Sequence, residues 1–198
     1  MTFLLPPDLR SVVPGPVGTI IADPPWRYDN VAAQGAAEDH YPTMSIWEIA
    51  SLPVKEITDR SAHLYLWVTD SHLEDVFRLG LLEAWGFRYI QTLKWLKIKD
   101  GKPQMGVGNY YRHATELCIF AVKGRAPVAH HDTLDFFWAP RERHSAKPPT
   151  IHEYAERLSS GPYLEMFART PRPGWYAWGN QAPAPAAAAP GLVAHPGT

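Results

Sequence analysis

The stretch IIADPPWRYDN, residues 20–30, places a carboxylate, two carbonyl groups of fixed direction and a large aromatic ring at four consecutive positions. The apolar run before it predicts a buried strand that ends at Asp23, because Pro24 and Pro25 have no N–H to donate to a sheet. No local N–H is expected to compete for the proline carbonyls. Such a rigid corner could accept both hydrogens of an exocyclic amine, and Trp26 could stack on the ring that carries it.

An aromatic amine is a poor nucleophile, because its lone pair is delocalised into the ring. Two acceptors that pull its hydrogens out of the ring plane would localise that pair and direct it. The corner supplies orientation and electrostatics, so a strong electrophile such as a sulfonium methyl must be bound beside it. The alternative interpretation is an ordinary strand that ends at prolines and is followed by a buried tryptophan.

Composition indicates one soluble domain with no overall attraction to polyanions. The 198 residues are 45% hydrophobic and 20% charged, with a net charge of -1, so a nucleic-acid substrate would need a local basic patch. Cys118 is the only cysteine, which argues against disulfides and cysteine-based metal sites. Since no apolar stretch is long enough to span a membrane and prolines interrupt the N-terminus, we expect a cytoplasmic protein.

The chain divides into a folded unit and two segments without core-forming patterns. Residues 1–16 are rich in proline and are predicted to be flexible, and residues 182–198 are predicted to be a disordered Ala/Pro tail. The folded unit is therefore residues 17–181. Apolar patterns predict seven strands, at residues 17–22, 62–68, 88–97, 116–123, 133–139, 163–168 and 174–179.

Segments with helical spacing lie between these strands, at residues 45–52, 70–86 and 147–161. Ser71 is the expected N-cap of the second, with Glu74 completing a capping box and Gly86 closing the helix. Strands that alternate with helices predict an α/β fold with a mostly parallel sheet and helices on both faces. Ligands of such sheets bind at the carboxyl ends of the strands, which is where Asp23 is expected.

Long loops are predicted at residues 27–44, 98–114 and 140–147, and loops of this length in a compact domain are usually functional. The second loop contains Tyr110 and Arg112 among glycines and further basic residues. Basic and aromatic residues interleave in this way at nucleic-acid contacts, so a substrate lid is one interpretation. A solvated, mobile loop is the other.

The DPPW sequence after an apolar strand resembles the signature of the MT-A70 family, the adenine-N6 methyltransferases named for the catalytic subunit of the mRNA N6-adenosine enzyme. Further blocks are similar to family blocks in the family's order, so the resemblance covers residues 18–181. These blocks are YPTMS, LYLWVTDSHLE, WGF, ELCIFAVKG, RERHSAKP, YAERL and LEMFARTPRPGWYAWGNQ.

The resemblance implies a Rossmann-like methyltransferase with permuted motif order, S-adenosylmethionine as donor, S-adenosylhomocysteine as product and no metal. It implies a catalytic corner of Asp23, Pro24, Pro25 and Trp26. Residues expected near the substrate are Tyr41, Glu116 and Lys147, to which the loop adds Tyr110 and Arg112. Residues expected around the donor are Ile21, Asp23, His144, Lys147, Glu165, Arg169, Asn180 and Gln181.

Ordinary structural roles remain open for several of these residues. Glu165 interrupts an apolar strand, which suits a ribose diol, but it could lie on a solvated strand face. Arg169 and Lys147 could be surface charges, and His144 could be a solvated loop residue. Asn180 and Gln181, which follow a glycine, could form a turn.

Three functions are compatible with the sequence. The leading one is methylation of a flipped or single-stranded DNA adenine, because the short single-domain format resembles bacterial and phage members of the family. The second is the same chemistry on RNA adenosine. The third, of another class, is an inactive subunit that binds nucleic acid or a partner, against which the complete DPPW sequence argues. The chain is expected to be a monomer or a homodimer. A metal hydrolase is disfavoured, since no histidine pair has helical ligand spacing.

Overall fold

A central sheet with helices on both faces forms the fold. The computed structural model describes residues 8–28, 43–108, 110–141 and 146–179, and in these residues it has eight strands and six helices. The strands are β1 Val17–Ala22, β2 Thr58–Val68, β3 Arg88–Lys99, β4 Lys102–Pro103, β5 Thr115–Lys123, β6 Phe136–Pro140, β7 Tyr163–Met166 and β8 Trp175–Trp178. The helices are α1 Leu9–Val12, α2 Ile46–Ala50, α3 Val54–Ile57, α4 Asp70–Arg78, α5 Leu81–Ala84 and α6 Thr150–Leu158.

Strand direction determines which residues meet at one edge of the sheet. The order is β4-β3-β5-β2-β1-β7-β8, and β6 also pairs with β3. β5 is antiparallel to both neighbours and β4 is antiparallel to β3, whereas the other pairs are parallel. Six of these eight strands therefore point one way, and β5 begins at the edge where β1, β2 and β3 end. The predicted α/β class with a mostly parallel sheet is confirmed; the two-residue strand β4 is the addition to the seven predicted strands.

Each face of the sheet carries its own apolar core. The larger cluster joins side chains such as Ile20 and Leu64 to helices α1 to α5. The second cluster lies on the opposite face, where Ile21 and Trp67 pack with Ile151 of α6. Strand β1 is buried along its whole length, since it contributes to both clusters. This burial fixes where β1 ends and therefore where Asp23 lies.

The prediction of a flexible N-terminus is wrong for its described part. Residues 9–12 form α1, and Leu9, Val12 and Val13 are buried in the larger core cluster. Burial of three apolar side chains outweighs the proline content of the segment, because each contributes roughly 1.5–3 kcal/mol. The predicted tail at residues 182–198 lies outside the described residues.

The predicted helix 70–86 is two helices, and its predicted cap is wrong. Gly80 has a φ of +69°, and it separates α4 from α5. The N-cap of α4 is Thr69 rather than Ser71, because the chain leaves β2 only one residue before it. A capping box forms instead at α2, between Ser45 and Glu48. Gly86, with a φ of +82°, closes α5 as predicted.

Gly18 allows the end of the α6–β7 connection to pass against β1. A Cβ atom at Gly18 would lie 2.5 Å from the carbonyl oxygen of Ser160 and 2.7 Å from that of Gly161, so Gly18→Ala must displace backbone. We expect this substitution to lower the free energy of unfolding by about 1–3 kcal/mol, measured by urea unfolding. Gly15→Ala is the matched control, because nothing lies within 4 Å of its Cβ position. Equal stability of the two variants would contradict the packing described.

Candidate active site

The corner after β1 is built as the sequence predicts at Asp23. The chain leaves the sheet there: the Asp23 N–H makes a last, long contact of 3.5 Å with the Met166 carbonyl of β7, and the two prolines follow. The Asp23 side chain is 28% exposed, and its Oδ2 atom lies 2.8 Å from Nζ of Lys147. Lys147 precedes α6, so this ion pair joins the end of β1 to the start of the helix that covers its face.

The proline carbonyls are more engaged than the sequence suggests, and that prediction is wrong. The Pro24 oxygen accepts the Trp26 N–H at 2.9 Å, and the Pro25 oxygen accepts the Met44 N–H at 2.7 Å. A tight turn and a bridge to residue 44 supply these donors, neither of which an apolar pattern reveals. A carbonyl oxygen has two lone pairs, so Pro24 keeps one acceptor site.

Trp26 is a buried wall of the site rather than an exposed stacking surface. It is 6% exposed, its indole N–H donates to the Trp67 carbonyl at 3.2 Å, and it stacks on His72 with 5.2 Å between ring centroids. The His72 ring in turn donates through Nε2 to the Arg27 carbonyl at 2.8 Å. The burial that the alternative interpretation expected is therefore present, although Trp26 also lines the cleft beside Asp23.

The strand register brings four charged side chains into one row. Glu116 of β5 lies opposite Trp95 of β3, and Lys97 lies two residues further along β3 on the same face. Glu116 Oε1 is 2.9 Å from Nζ of Lys97, and its Oε2 is 3.4 Å from Nζ of Lys147. The row therefore alternates in sign from Asp23 through Lys147 and Glu116 to Lys97. Each side chain in the row therefore has a neighbour of opposite charge.

The row fixes the charge of its central lysine. Burial would lower the pKa of Lys147, but the charges of Asp23 and Glu116 and their hydrogen bonds raise it above its ordinary value. The Nζ atom also lies 5.4 Å from the centroid of the Trp67 ring. Lys147 is thus a cation at neutral pH. Burial raises the pKa of the Cys118 thiol well above its ordinary value, so Cys118 is not a nucleophile here.

An open cleft of about 350 Å³ lies against this row. Its volume falls in the range of small-molecule sites, and aromatic rings alternate with charged groups in its wall. The rings are Trp26, Tyr28, Trp67 and Trp95, and the charged groups are Asp23, Asp70, Lys97, Glu116, Arg141 and Lys147. A flat heterocycle with an exocyclic amine fits such a wall.

The predicted loop at residues 98–114 contributes one residue to the cleft. The two residues of this loop that were expected to contact the substrate do not line the cleft. His113 lines the cleft, and its Nδ1 lies 3.0 Å from Asp70 Oδ2 at the start of α4. Tyr110 is 97% exposed and Arg112 is exposed, and neither lines the cleft. The loop thus presents Tyr110, Tyr111 and Arg112 to solvent, directly before His113 in the chain.

Glu165, which the sequence predicts near the methyl donor, lies on β7, the neighbour of β1 on the side opposite β2. β7 pairs with β1 so that Glu165 lies beside Ile21, on the face that α6 covers. Ile21 itself is 2% exposed, so it belongs to the core beneath this part of the sheet. Glu165 is 23% exposed, and Arg169, three residues after β7, is exposed. The predicted residues Tyr41, His144, Asn180 and Gln181 lie outside the described residues.

The family model for MT-A70 matches residues 17–181. The chain belongs to the MT-A70 family. The mixed α/β sheet is consistent with the Rossmann-like methyltransferase fold of this family, as the sequence predicts.

Relatives come from plants, bacteria and animals. The chain is 30% identical to a probable N(6)-adenosine-methyltransferase MT-A70-like of Oryza sativa, over 88% of this chain and 24% of that protein. It is 27% identical to the type II methyltransferase M.MunI of Mycoplasma sp, over 83% of this chain and 77% of that protein. It is 26% identical to human N(6)-adenine-specific methyltransferase METTL4, over 82% of this chain and 36% of that protein. The chain thus spans about a quarter of the length of the plant relative.

Four of the cleft residues had no place in the sequence prediction. Trp67 lies near the end of an apolar strand, and its buried indole N–H has no hydrogen-bond partner among the described residues. Lys97 and Trp95 alternate in the predicted strand, which indicates a shared face but not the antiparallel partner that brings Glu116 to them. His113 looked like one more residue of a polar loop. Their positions depend on pairing between distant strands.

Two other features of the described residues bear on chemistry. No group of three or more His, Cys, Asp or Glu side chains lies close enough to bind a metal ion in the part of the chain that the structure describes. Within the same residues, no helix has both the length and the apolar character required to cross a bilayer.

The row of charges predicts a pH-dependent cost for losing Lys147. Lys147→Met leaves Asp23 and Glu116 without their shared cation, so we expect the free energy of unfolding to fall by about 1–3 kcal/mol at pH 7. Because the pKa of Lys147 in the folded protein lies above its ordinary value of 10.5, this difference from wild type persists below pH 10.5 and shrinks above it. Urea unfolding at pH 7, 9 and 11 measures it. Lys94→Met, which removes an exposed pair with Asp135, is the control and should change nothing measurable. Equal effects of the two variants would contradict the account.

Proposed function

We propose that this chain is an S-adenosylmethionine-dependent methyltransferase that transfers a methyl group to the N6 amine of an adenine in DNA. The observation that supports it most is the position of Asp23. It lies at the end of β1, between a cleft lined with aromatic rings and the strand that carries Glu165. Family membership and the names of the relatives support the same chemistry.

The described residues fit the proposed donor. Glu165 lies near the carboxyl edge of β7, beside Ala177 of β8. An acid at this position suits the two hydroxyls of a ribose. Lys147 and Arg169 offer cations for the donor's carboxylate, and Asp23 offers an anion for its ammonium group. S-adenosylmethionine supplies an electrophilic methyl group on a positively charged sulfur.

Hydrogen-bond acceptors that remain available at Asp23 and Pro24 indicate how the adenine amine would bind. Lys147 engages Oδ2 of Asp23, which leaves Oδ1 to accept one amine hydrogen. The second lone pair of the Pro24 oxygen can accept the other hydrogen. With S-adenosylmethionine bound, the nitrogen lone pair would form a bond to the methyl carbon as the bond from that carbon to sulfur breaks and S-adenosylhomocysteine leaves. Oδ1 of Asp23 would accept the proton that the amine loses. Trp26, Trp67 and Trp95 exclude water from the base.

Asp23 is the residue whose removal tests this proposal. We expect Asp23→Ala to lower kcat/KM for methyl transfer by at least about 10²–10³-fold, because it removes both an acceptor and the partner of Lys147. Incorporation of tritiated methyl groups into an adenine-containing DNA strand measures it. Asp75→Ala, at a half-buried acid of α4 that pairs with Arg78, is the matched control and should retain wild-type turnover. Unchanged turnover of Asp23→Ala would rule the mechanism out.

DNA is proposed over RNA because of the similarity to a bacterial type II methyltransferase. The chain matches 77% of the length of M.MunI, so the domain described here corresponds to most of that protein. RNA is the second candidate, since an N6-methyladenosine RNA methyltransferase of Cryphonectria parasitica is 27% identical over 82% of this chain. Duplex DNA, single-stranded DNA and RNA compared in one assay distinguish them. We expect single-stranded DNA to be the best substrate, because flipping a base out of a duplex costs a few kcal/mol. A preference for RNA by a factor of ten or more would transfer the proposal to RNA.

Tyr110 and Tyr111, the exposed tyrosines that precede the cleft residue His113, are expected to stack on the substrate strand. We predict that the double variant Tyr110→Ala, Tyr111→Ala raises KM for single-stranded DNA about tenfold or more, since each base stack contributes ~1–3 kcal/mol. Affinity for S-adenosylhomocysteine should stay the same. Tyr89→Ala is the control, because Tyr89 is exposed at the opposite end of β3. An unchanged KM for the double variant would show that the loop is only a solvated connection.

A further inference from the structure

We infer that His152 is a positioning residue for the donor, which it serves by fixing the direction of the Glu165 carboxylate. This inference rests on the proposed function, because it assigns a partner to the acid expected at the ribose. His152 lies in the first turn of α6, and its Nε2 atom is 3.0 Å from Oε2 of Glu165 on β7. Sequence patterns gave no role to His152.

The pair is sheltered from water, so the contact constrains both side chains. His152 is 12% exposed and Glu165 is 23% exposed. One oxygen of Glu165 is directed at the helix, and no hydrogen bond from another described residue engages Oε1, which can accept hydroxyl hydrogens of a ligand. Without this contact, the Glu165 side chain would lose rotamer freedom when the ligand binds, and that loss of entropy would lower the affinity.

His152 is held from its other side as well. Its ring meets the Trp175 ring edge to face, with 5.0 Å between centroids and an angle of 78°. Trp175 donates its indole N–H to Glu156 Oε1 at 2.7 Å and stacks on Tyr163 at 4.8 Å. The imidazole therefore cannot swing away from Glu165 without disturbing β8. Its Nδ1 atom is buried and has no hydrogen-bond partner, so Glu165 is its one polar contact among the described residues.

The same helix links the two sides of the reaction. Lys147, which pairs with Asp23, lies three residues before α6, and His152 lies in the helix two turns from its end. Ile151 and Ala155 fix α6 to the sheet by full burial. A single rigid element thus orients the cation at the acceptor corner and the acid at the donor side.

Binding of S-adenosylhomocysteine, measured by titration calorimetry, tests the inference. His152→Leu removes the donor, and we expect the dissociation constant to rise about tenfold, as for the loss of a hydrogen bond to a charged group. His152→Gln keeps an N–H near the Nε2 position and should recover most of the affinity. In turnover assays KM for the methyl donor should rise with the leucine variant, while KM for DNA and kcat stay close to wild type. Glu153→Gln, at the exposed next residue of α6, is the matched control.

A double-mutant cycle separates positioning from mere packing. If His152 acts through Glu165, His152→Leu should add little to the loss caused by Glu165→Ala. Fully additive losses, or wild-type affinity of His152→Leu, would overturn the inference while leaving the proposed function intact. A wild-type protein that binds no S-adenosylhomocysteine would overturn the proposed function and this inference with it. The glutamine variant, which keeps a polar side chain of similar length, decides the outcome should the leucine variant fail to fold.

Discussion

The structure of the site depends on the position of one lysine between two carboxylates. Lys147 takes its place 2.8 Å from Asp23 and 3.4 Å from Glu116, although burial alone would disfavour its charge. The two acids come from strands that run in opposite directions, so only the edge where β1 ends and β5 begins can present both. Removing a partner would leave a sheltered charge uncompensated, which is more costly than never forming the pair. The interaction therefore fixes the active corner and the start of α6 together.

Helix α6 connects the Lys147 ion pairs to strands β7 and β8, on the other side of β1. Its buried face fills the second core cluster, and its polar side chains meet Glu165 and Trp175. Donor and acceptor positions are thereby set relative to one helix rather than to separate loops. A methyl transfer requires the reacting atoms in line at short distance, so a common rigid support has a direct catalytic use.

Residues that act within one strand or turn could be predicted from the sequence, and residues that depend on long-range pairing could not. Asp23 was located because an apolar strand and two prolines are local signals, and Glu165 because it interrupts an apolar run. The positions of Lys97 and Trp67 required the antiparallel register of β5 with β3 and β2. The free proline carbonyls were a wrong prediction, because Met44 approaches from a distant segment. The capping box predicted at Ser71 was wrong, because α4 begins directly after β2 and its N-cap is Thr69. The capping box that the structure contains lies at Ser45, before α2.

The most direct test of the central claim is a crystal structure of the protein with S-adenosylhomocysteine. The account predicts that the sulfur faces the cleft beside Asp23, that the ribose hydroxyls contact Glu165, and that Lys147 remains between Asp23 and Glu116. The account would be contradicted if the ligand bound away from the carboxyl end of β1, or if its sulfur lay where no path to the tryptophan-lined cleft exists.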